Sequence, residues 1–118
     1  MRILLAEDDK NYGKVLKNEL EGDKFTVDWV VDGVQAVLQF LETPYGAVLL
    51  DLKMPRLDGN DALRILKKID PRVRVITFSG AAGEAEKKES LECGALHCLS
   101  KPFPISFLKE ELRNQLGN

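Results

Sequence analysis

The sequence predicts an α/β domain in which helices cover both faces of a parallel sheet. Five strand-like runs alternate with five segments of helical spacing along the 118 residues. Two of these runs, RILLA and AVLL, show no alternation of apolar and polar residues, which is typical of strands buried on both faces. The length suits one compact domain with a single core. We therefore predict one domain over residues 1–118.

The strand-like runs are short and consist mainly of β-branched and large apolar residues; they cover residues 2–6, 25–31, 47–50, 72–78 and 95–99. Four of the intervening segments carry an apolar stripe at helical spacing: Tyr12, Val15, Leu16 and Leu20; Val34, Val37, Leu38 and Leu41; Ala62, Leu63, Leu66 and Ile69; and Ile105, Leu108, Leu112 and Leu116. The segment 81–93 has a sparser inner face of Ala82, Ala85 and Leu91. We expect this helix to pack lightly and to move more easily than the others.

Turn and cap residues agree with this division. The Asp58-Gly59 pair precedes one helix, and Gly94 stands where a left-handed residue would end another. Pro104 falls at the first turn of the last helix, where a missing N–H does no harm.

Composition and charge exclude several classes of function. The net charge is −2 and Lys and Arg are not clustered, so we do not expect this domain to bind nucleic acid directly. No apolar run approaches the roughly 18 residues that span a bilayer, and we expect no membrane association. The N-terminal MRILLAEDD lacks the longer apolar region and cleavage site of a signal peptide, which favours a cytoplasmic location.

The two cysteines, Cys93 and Cys98, form a C-x3-H-C pattern with His97. A structural zinc site needs four ligands, usually in two separated pairs, and the sequence has no second pair. Buried or half-buried thiols are therefore the preferred interpretation.

Polar residues follow four of the predicted strands directly. In an open parallel sheet, ligands bind beyond the carboxyl ends of the strands, so these residues are the first candidates for a site. They are Glu7, Asp8 and Asp9 after the first run, Asp51 after the third, Ser79-Gly80 after the fourth, and Ser100-Lys101-Pro102 after the fifth.

Glu7, Asp8 and Asp51 would repel one another at such an edge unless a cation or a base joined them. Oxygen ligands without a histidine or thiolate suit a hard cation, and Mg²⁺ prefers one or two carboxylates together with water and phosphate oxygens. Lys101 adds a positive charge and Ser79 a hydroxyl donor. This set, with Asp51 as a candidate nucleophile, suits a phosphoryl group. Asp9 is better explained as the cap of the first helix.

Four segments carry a resemblance to a known family: ILLAEDD (3–9), VLLDLKMPRLDG (48–59), VITFSG (75–80) and CLSKPF (98–103). In this order and spacing the chain resembles the receiver domain of two-component response regulators over essentially its whole length. The resemblance implies a single (βα)5 doubly wound sheet of the flavodoxin-like type, with strand order 2-1-3-4-5. It also implies a domain that takes a phosphoryl group from a phosphohistidine onto one aspartate and that is not otherwise an enzyme.

The resemblance also implies a role for each matching residue. Asp51 would be the phosphoacceptor. Asp8 would bind Mg²⁺ directly, Glu7 would bind it through water, and the Lys53 carbonyl would be a further ligand. Ser79 would hydrogen-bond the phosphoryl group and move on activation, and Lys101 would pair with the phosphoryl oxygens. A cis bond is implied between Lys101 and Pro102.

The sequence departs from the family pattern at one position and offers a hypothesis at two others. Cys98 stands three residues before Lys101, where family members usually have Tyr or Phe, so an aromatic switch residue is missing. Lys53 and Ala81 occupy positions that influence hydrolysis of the acyl phosphate in this family. Our hypothesis is that Lys53 adds positive charge near the phosphoryl group, while Ala81 offers no polar group to orient a water.

The partners implied are a sensor histidine kinase or phosphotransfer protein, and a downstream effector protein or domain. A homodimer that forms on phosphorylation is a further alternative. Three other functions are alternatives. An aspartate-based phosphatase needs a second acid where Lys53 stands, and a flavin- or nucleotide-binding module needs a phosphate loop after the first strand. A receiver-like interaction domain that is never phosphorylated stays open because of Cys98.

Overall fold

The computed structural model describes residues 1–80 and 83–116, without the side chains of residues 115 and 116. Strands and helices alternate along the chain as the sequence predicts. The strands are β1 (Arg2–Ala6), β2 (Thr26–Val30), β3 (Ala47–Asp51), β4 (Val75–Ser79) and β5 (His97–Ser100). The helices are α1 (Lys10–Gly22), α2 (Gly33–Glu42), α3 (Gly59–Ile69), α4 (Glu84–Glu92) and α5 (Ile105–Leu116).

The five strands form one parallel sheet in the order β2-β1-β3-β4-β5, which confirms the predicted flavodoxin-like α/β fold. Each face of the sheet carries its own apolar cluster. One cluster contains Leu16 and Leu20 of α1 with Leu108 and Leu112 of α5. The other contains Ala36 of α2 and the α3 residues Ala62, Leu63 and Leu66. Because both faces are covered, all five residues of β3 are buried.

The register of the sheet brings the carboxyl ends of the strands to one edge. Ala6 of β1 pairs with Leu50 of β3, so Glu7 and Asp51 follow at the same level. Ser79 of β4 pairs with Ser100 of β5, directly before Lys101. The candidate residues therefore share the edge formed by the carboxyl ends of the strands, where ligands bind in open parallel sheets.

Several residues of the predicted apolar stripes are exposed, and in this respect the prediction was wrong. Val15, Leu38, Leu41 and Ile69 lie in solvent at the flanks of their helices. In α2 the buried residues are Gly33 and Ala36. A Cβ at Gly33 would lie 2.1 Å from the carbonyl oxygen of Leu57, so small residues allow a close approach that larger residues would prevent.

The helix α4 has a different inner face from the predicted one. Ala85 and Leu91 are exposed, and the buried residue of this helix is Ser90. The Ser90 hydroxyl donates to Asn60 Oδ1 at 2.5 Å and accepts from Thr77 Oγ1 at 3.0 Å. Predictions for Ala81, Ala82 and the Leu116 side chain lie outside the described residues.

Helix ends follow the predicted cap residues with one shift. Asp58 caps α3, its Oδ1 accepting from the Asp61 N–H at 2.9 Å, and Gly94 has φ +105° after α4. Pro104 precedes α5 rather than lying within its first turn, and its carbonyl accepts from the Phe107 N–H. The Lys101–Pro102 peptide bond is cis, as predicted.

Two further sequence predictions can be compared with the described part of the chain. No helix there combines the length and apolar character that a membrane crossing requires. Cys93 and Cys98 are half-buried free thiols, and His97 Nε2 lies 2.7 Å from Glu111 Oε2. The half-buried thiols match the preferred interpretation of the two cysteines.

Candidate functional site

Three carboxylates meet at the carboxyl edge of the sheet. Glu7 and Asp8 follow β1, and Asp51 is the last residue of β3. Each offers an oxygen, and these oxygens all lie within 4.8 Å of one another. Glu7 and Asp51 are buried, whereas Asp8 is exposed. The predicted acidic cluster is therefore present, and Asp8 is its solvent-facing member.

The Lys101 ammonium lies between two of these carboxylates. Its Nζ donates to Glu7 Oε1 at 2.5 Å and to Asp51 Oδ2 at 3.1 Å. The backbone N–H of Lys101 donates to the carbonyl of Ser79 at 2.8 Å, which fixes the end of β5 to the end of β4. One cation thus offsets part of the repulsion between two buried acids.

The surroundings of Glu7 shift its pKa upward. The pKa of Glu7 is raised to about 8, first by burial and then by the neighbouring Asp51 carboxylate, while Lys101 opposes both effects. The charged form of Glu7 is therefore disfavoured near neutral pH, and an additional cation would favour it.

The residues after Asp51 connect β3 to α3. The Lys53 N–H donates to Asp51 Oδ1 at 3.1 Å, and the Lys53 side chain is exposed. The Gly59 N–H donates to the Leu52 carbonyl at 3.0 Å. A Cβ at Gly59 would lie 2.3 Å from the Asp51 carbonyl oxygen, so the first residue of α3 packs directly on the acceptor strand.

Ser79 and Cys98 lie on the two strands beyond Asp51. Ser79 ends β4 and is buried, at the edge where Lys101 emerges from β5. Cys98 is half-buried and pairs in register with Thr77. Lys101 thus contacts Glu7 and Asp51, Asp8 lies with them in the acidic cluster, and Ser79 lies at the same edge.

Trp29 is a site neighbour that the sequence did not reveal. Its indole Nε1 donates to the Glu7 carbonyl at 2.9 Å. The ring lies against Gly13 of α1, where a Cβ would approach it to 2.3 Å. The only available signal was a tryptophan on a strand predicted to be next to β1. As the single tryptophan of the chain, it can report on events at Glu7.

The donor set fits a hard divalent cation. Glu7, Asp8 and Asp51 offer oxygen atoms alone, and the cluster has an exposed member through which an ion can enter. Mg²⁺ favours such sites, with one or two carboxylates and several water or phosphate ligands. Burial, and after it the neighbouring Asp51, raises the pKa of Glu7 in spite of Lys101, so added positive charge would favour its ionised form.

Comparison with known proteins places the chain in a family. The family model of the response regulator receiver domain matches residues 3–113. The chain belongs to this family. Receiver domains act in two-component signal transduction, and the acidic edge described above is the part of this domain that suits Mg²⁺.

Relatives of this receiver domain differ in length. The transcriptional regulatory protein QseB of Escherichia coli O157:H7 is 39% identical over 105 residues, covering 89% of this chain and 48% of QseB. The response regulator receiver protein CpdR of Brucella abortus is 33% identical over 115 residues, covering 98% of this chain and 96% of CpdR. The chain spans about half the length of QseB and of several other curated relatives.

A solved structure resembles this receiver domain in detail. It is the receiver domain of a sensor histidine kinase of Pseudomonas aeruginosa PAO1, with a magnesium ion coordinated in the active-site cleft. The two are 31% identical with a TM-score of 0.90, and the match covers 99% of this chain and 98% of that chain.

Proposed function

We propose that this receiver domain accepts a phosphoryl group on Asp51 from the phosphohistidine of a sensor histidine kinase or a phosphotransfer protein. The observation that carries the proposal is the position of the Lys101 ammonium, 3.1 Å from Asp51 Oδ2 at the edge where Glu7 and Asp8 meet. A buried carboxylate beside a cation and an acidic cluster is a site for a nucleophile whose product carries negative charge.

The transfer would form one bond and break one. A carboxylate oxygen of Asp51 attacks the phosphorus in line, and the P–N bond to the donor imidazole breaks with its electron pair returning to nitrogen. Lys101 pairs with the equatorial phosphoryl oxygens, and Ser79 donates its hydroxyl to one of them. The product is an acyl phosphate on Asp51 that water later hydrolyses.

The acidic cluster would hold Mg²⁺ during this step. Asp8, Asp51 and the Lys53 carbonyl are the proposed direct ligands, and Glu7 is proposed to bind through water. The bound ion supplies positive charge that offsets the negative charge of the phosphoryl oxygens. The grouping of three carboxylate oxygens within 4.8 Å of one another supports this assignment, because such a cluster favours added positive charge.

The signal would leave through β4 and α4. Ser79 and Thr77 lie two residues apart on β4, and Thr77 is hydrogen-bonded to Ser90 of α4. A shift of the β4 end toward the phosphoryl group would therefore reach α4 through buried hydrogen bonds, without an aromatic residue at position 98. Such a change is a shift in population between two conformations of the domain. Its size is limited by the difference in free energy between the contacts that each conformation makes with the phosphoryl group.

The output is a partner protein or an effector domain beyond these residues. QseB and several other curated relatives are about twice as long as this chain, which supports an attached effector domain, whereas the length of CpdR supports a receiver that acts through a separate partner. A phosphorylation-dependent homodimer is compatible with either. We place the domain in the cytoplasm, as one unit over residues 1–118, with no direct binding to nucleic acid and no enzymatic turnover beyond its own phosphorylation and dephosphorylation.

The test is incubation with acetyl phosphate and Mg²⁺, followed by intact-mass measurement. The wild-type chain should gain one phosphoryl group, and the Asp51→Asn variant, which keeps the size of the side chain, should gain none. The absence of added mass in the wild type, under conditions that label another receiver domain, would remove the proposal.

A further inference from the structure

An aromatic surface lies against the Lys101 ammonium beside its two carboxylate partners. The ring centroid of Tyr12 is 4.6 Å from Nζ, and that of Phe78 is 5.3 Å away. Both distances fall within the range of about 6 Å at which the negative face of an aromatic ring attracts a cation. The Lys101 side chain is only 18% exposed, so water screens this attraction weakly.

The position of Tyr12 is fixed from two directions. Its backbone N–H donates to Asp9 Oδ1 at 3.2 Å, which anchors it in the first turn of α1 directly after the acidic pair. Its ring makes edge contacts with Phe78 at 6.3 Å and Phe103 at 6.2 Å between centroids. The ring therefore needs little ordering when the ammonium lies against it.

The ring, and not the hydroxyl, is the part of Tyr12 that interacts. Within the described part of the chain, the buried Tyr12 Oη has no hydrogen-bond partner. A buried hydroxyl without a hydrogen-bond partner is destabilising, so the hydroxyl of Tyr12 does not contribute to the stability of the domain. The Lys101 ammonium next to the ring does explain why an aromatic residue stands at this position.

We propose that Tyr12 is a positioning residue for phosphoryl transfer, whose ring holds the Lys101 ammonium beside Asp51. The inference rests on the proposed function of Asp51. The carboxylates of Glu7 and Asp51, which would face Mg²⁺ in the acidic cluster, would then be less available to Lys101. The aromatic face is not a ligand for Mg²⁺ and keeps its attraction for the ammonium, so Lys101 stays where the phosphoryl oxygens arrive.

The experiment compares Tyr12→Phe and Tyr12→Leu by the rate of phosphorylation of Asp51 from acetyl phosphate. Tyr12→Phe keeps the aromatic face and should stay within about twofold of the wild type. Tyr12→Leu fills most of the same space without a ring and should be about three- to tenfold slower, which corresponds to about 0.7–1.4 kcal/mol. In a Lys101→Ala background, the same Leu substitution should change the rate by less than about twofold, because the ring has lost its cation.

A second series of substitutions preserves the shape of the side chain at position 12, so that its results do not depend on how leucine packs there. Phenylalanine, 4-fluorophenylalanine and trifluorophenylalanine at position 12 have similar shapes but progressively weaker negative faces. The rate should fall stepwise along this series at unchanged melting temperature. The ε-methylene protons of Lys101 should also show an upfield NMR shift with Tyr or Phe at position 12 that is lost with Leu.

The outcomes separate this inference from the function on which it rests. A phosphorylated wild type together with a Lys101-dependent loss in Tyr12→Leu and a fall along the fluorinated series supports it. A phosphorylated wild type with equal rates across the series, or with the same loss in the Lys101→Ala background, overturns the role of Tyr12 and leaves that of Asp51 intact. A wild type that takes no phosphoryl group removes both.

Discussion

Replacement of Gly59 by alanine should disturb the acceptor strand through its backbone. The added Cβ would lie 2.3 Å from the Asp51 carbonyl oxygen and 2.7 Å from Leu52 Cα, whereas ordinary contacts begin at 3.4 Å. The strand end and α3 must therefore separate by about 1 Å, since neither neighbouring atom belongs to a flexible side chain.

The size of this effect follows from known costs of overpacking. Insertion of a methyl group into a packed site costs about 1–3 kcal/mol. For a chain of 118 residues, 1 kcal/mol corresponds to about 4 °C, so the melting temperature should fall by about 4–12 °C. A displacement of about 1 Å at a nucleophile can reduce a rate by up to about a hundredfold, and phosphorylation of Asp51 should slow severely.

The matched control is Gly22→Ala. A Cβ at Gly22, the last residue of α1, would meet no atom within 4 Å. This variant should be neutral, or more stable by up to about 1 kcal/mol, and should be phosphorylated at the wild-type rate. Thermal unfolding and the acetyl phosphate assay measure both quantities. If Gly59→Ala had the melting temperature and rate of the wild type, the close packing of α3 on the acceptor strand would be refuted.

Three further predictions concern the α4 contact, the metal and the lifetime of the product. Ser90→Ala removes the buried partner of the Thr77 hydroxyl, so denaturant unfolding should show a loss of about 1–3 kcal/mol; an unchanged midpoint would contradict it. Mg²⁺ affinity, followed by Trp29 fluorescence, should rise by up to about tenfold per pH unit between about pH 6 and 8, because the cation displaces a proton from Glu7; equal affinity at both ends would argue against this. Lys53→Asn should shorten the half-life of the phosphorylated form severalfold, since an amide beside the acyl phosphate can orient water and carries no charge. A half-life equal to that of the wild type would count against the proposed role of Lys53.

The positions of the acidic residues could be predicted because parallel strands impose them. Once the runs ending at Ala6 and Asp51 are strands of one parallel sheet, the acids after them must approach one another. Local rules were equally sufficient for the helix caps, since Asp9 and Asp58 accept hydrogen bonds from N–H groups two or three residues ahead.

Contacts between distant side chains could not be predicted in this way. Trp29 reaches the Glu7 carbonyl, and Tyr12 reaches Lys101, only through the orientation of each side chain in the folded domain. The apolar periodicity also failed to predict which residues of α2 are buried. Ala36 is buried in α2 while Leu38 is exposed, although leucine is the larger and more hydrophobic residue. The burial of Ser90 was not predicted because the apolar pattern does not include polar residues, yet Ser90 is completely buried.

The central claim is that Asp51 carries the phosphoryl group, and the most direct test is to locate the acyl phosphate in the chain. Borohydride reduces an aspartyl phosphate to homoserine, which peptide mass spectrometry assigns to one position. After incubation with acetyl phosphate and Mg²⁺, the modified residue should be Asp51, with Glu7 and Asp8 unchanged. Homoserine at Asp8, or reduction at no aspartate in a chain that had gained phosphoryl mass, would contradict the account.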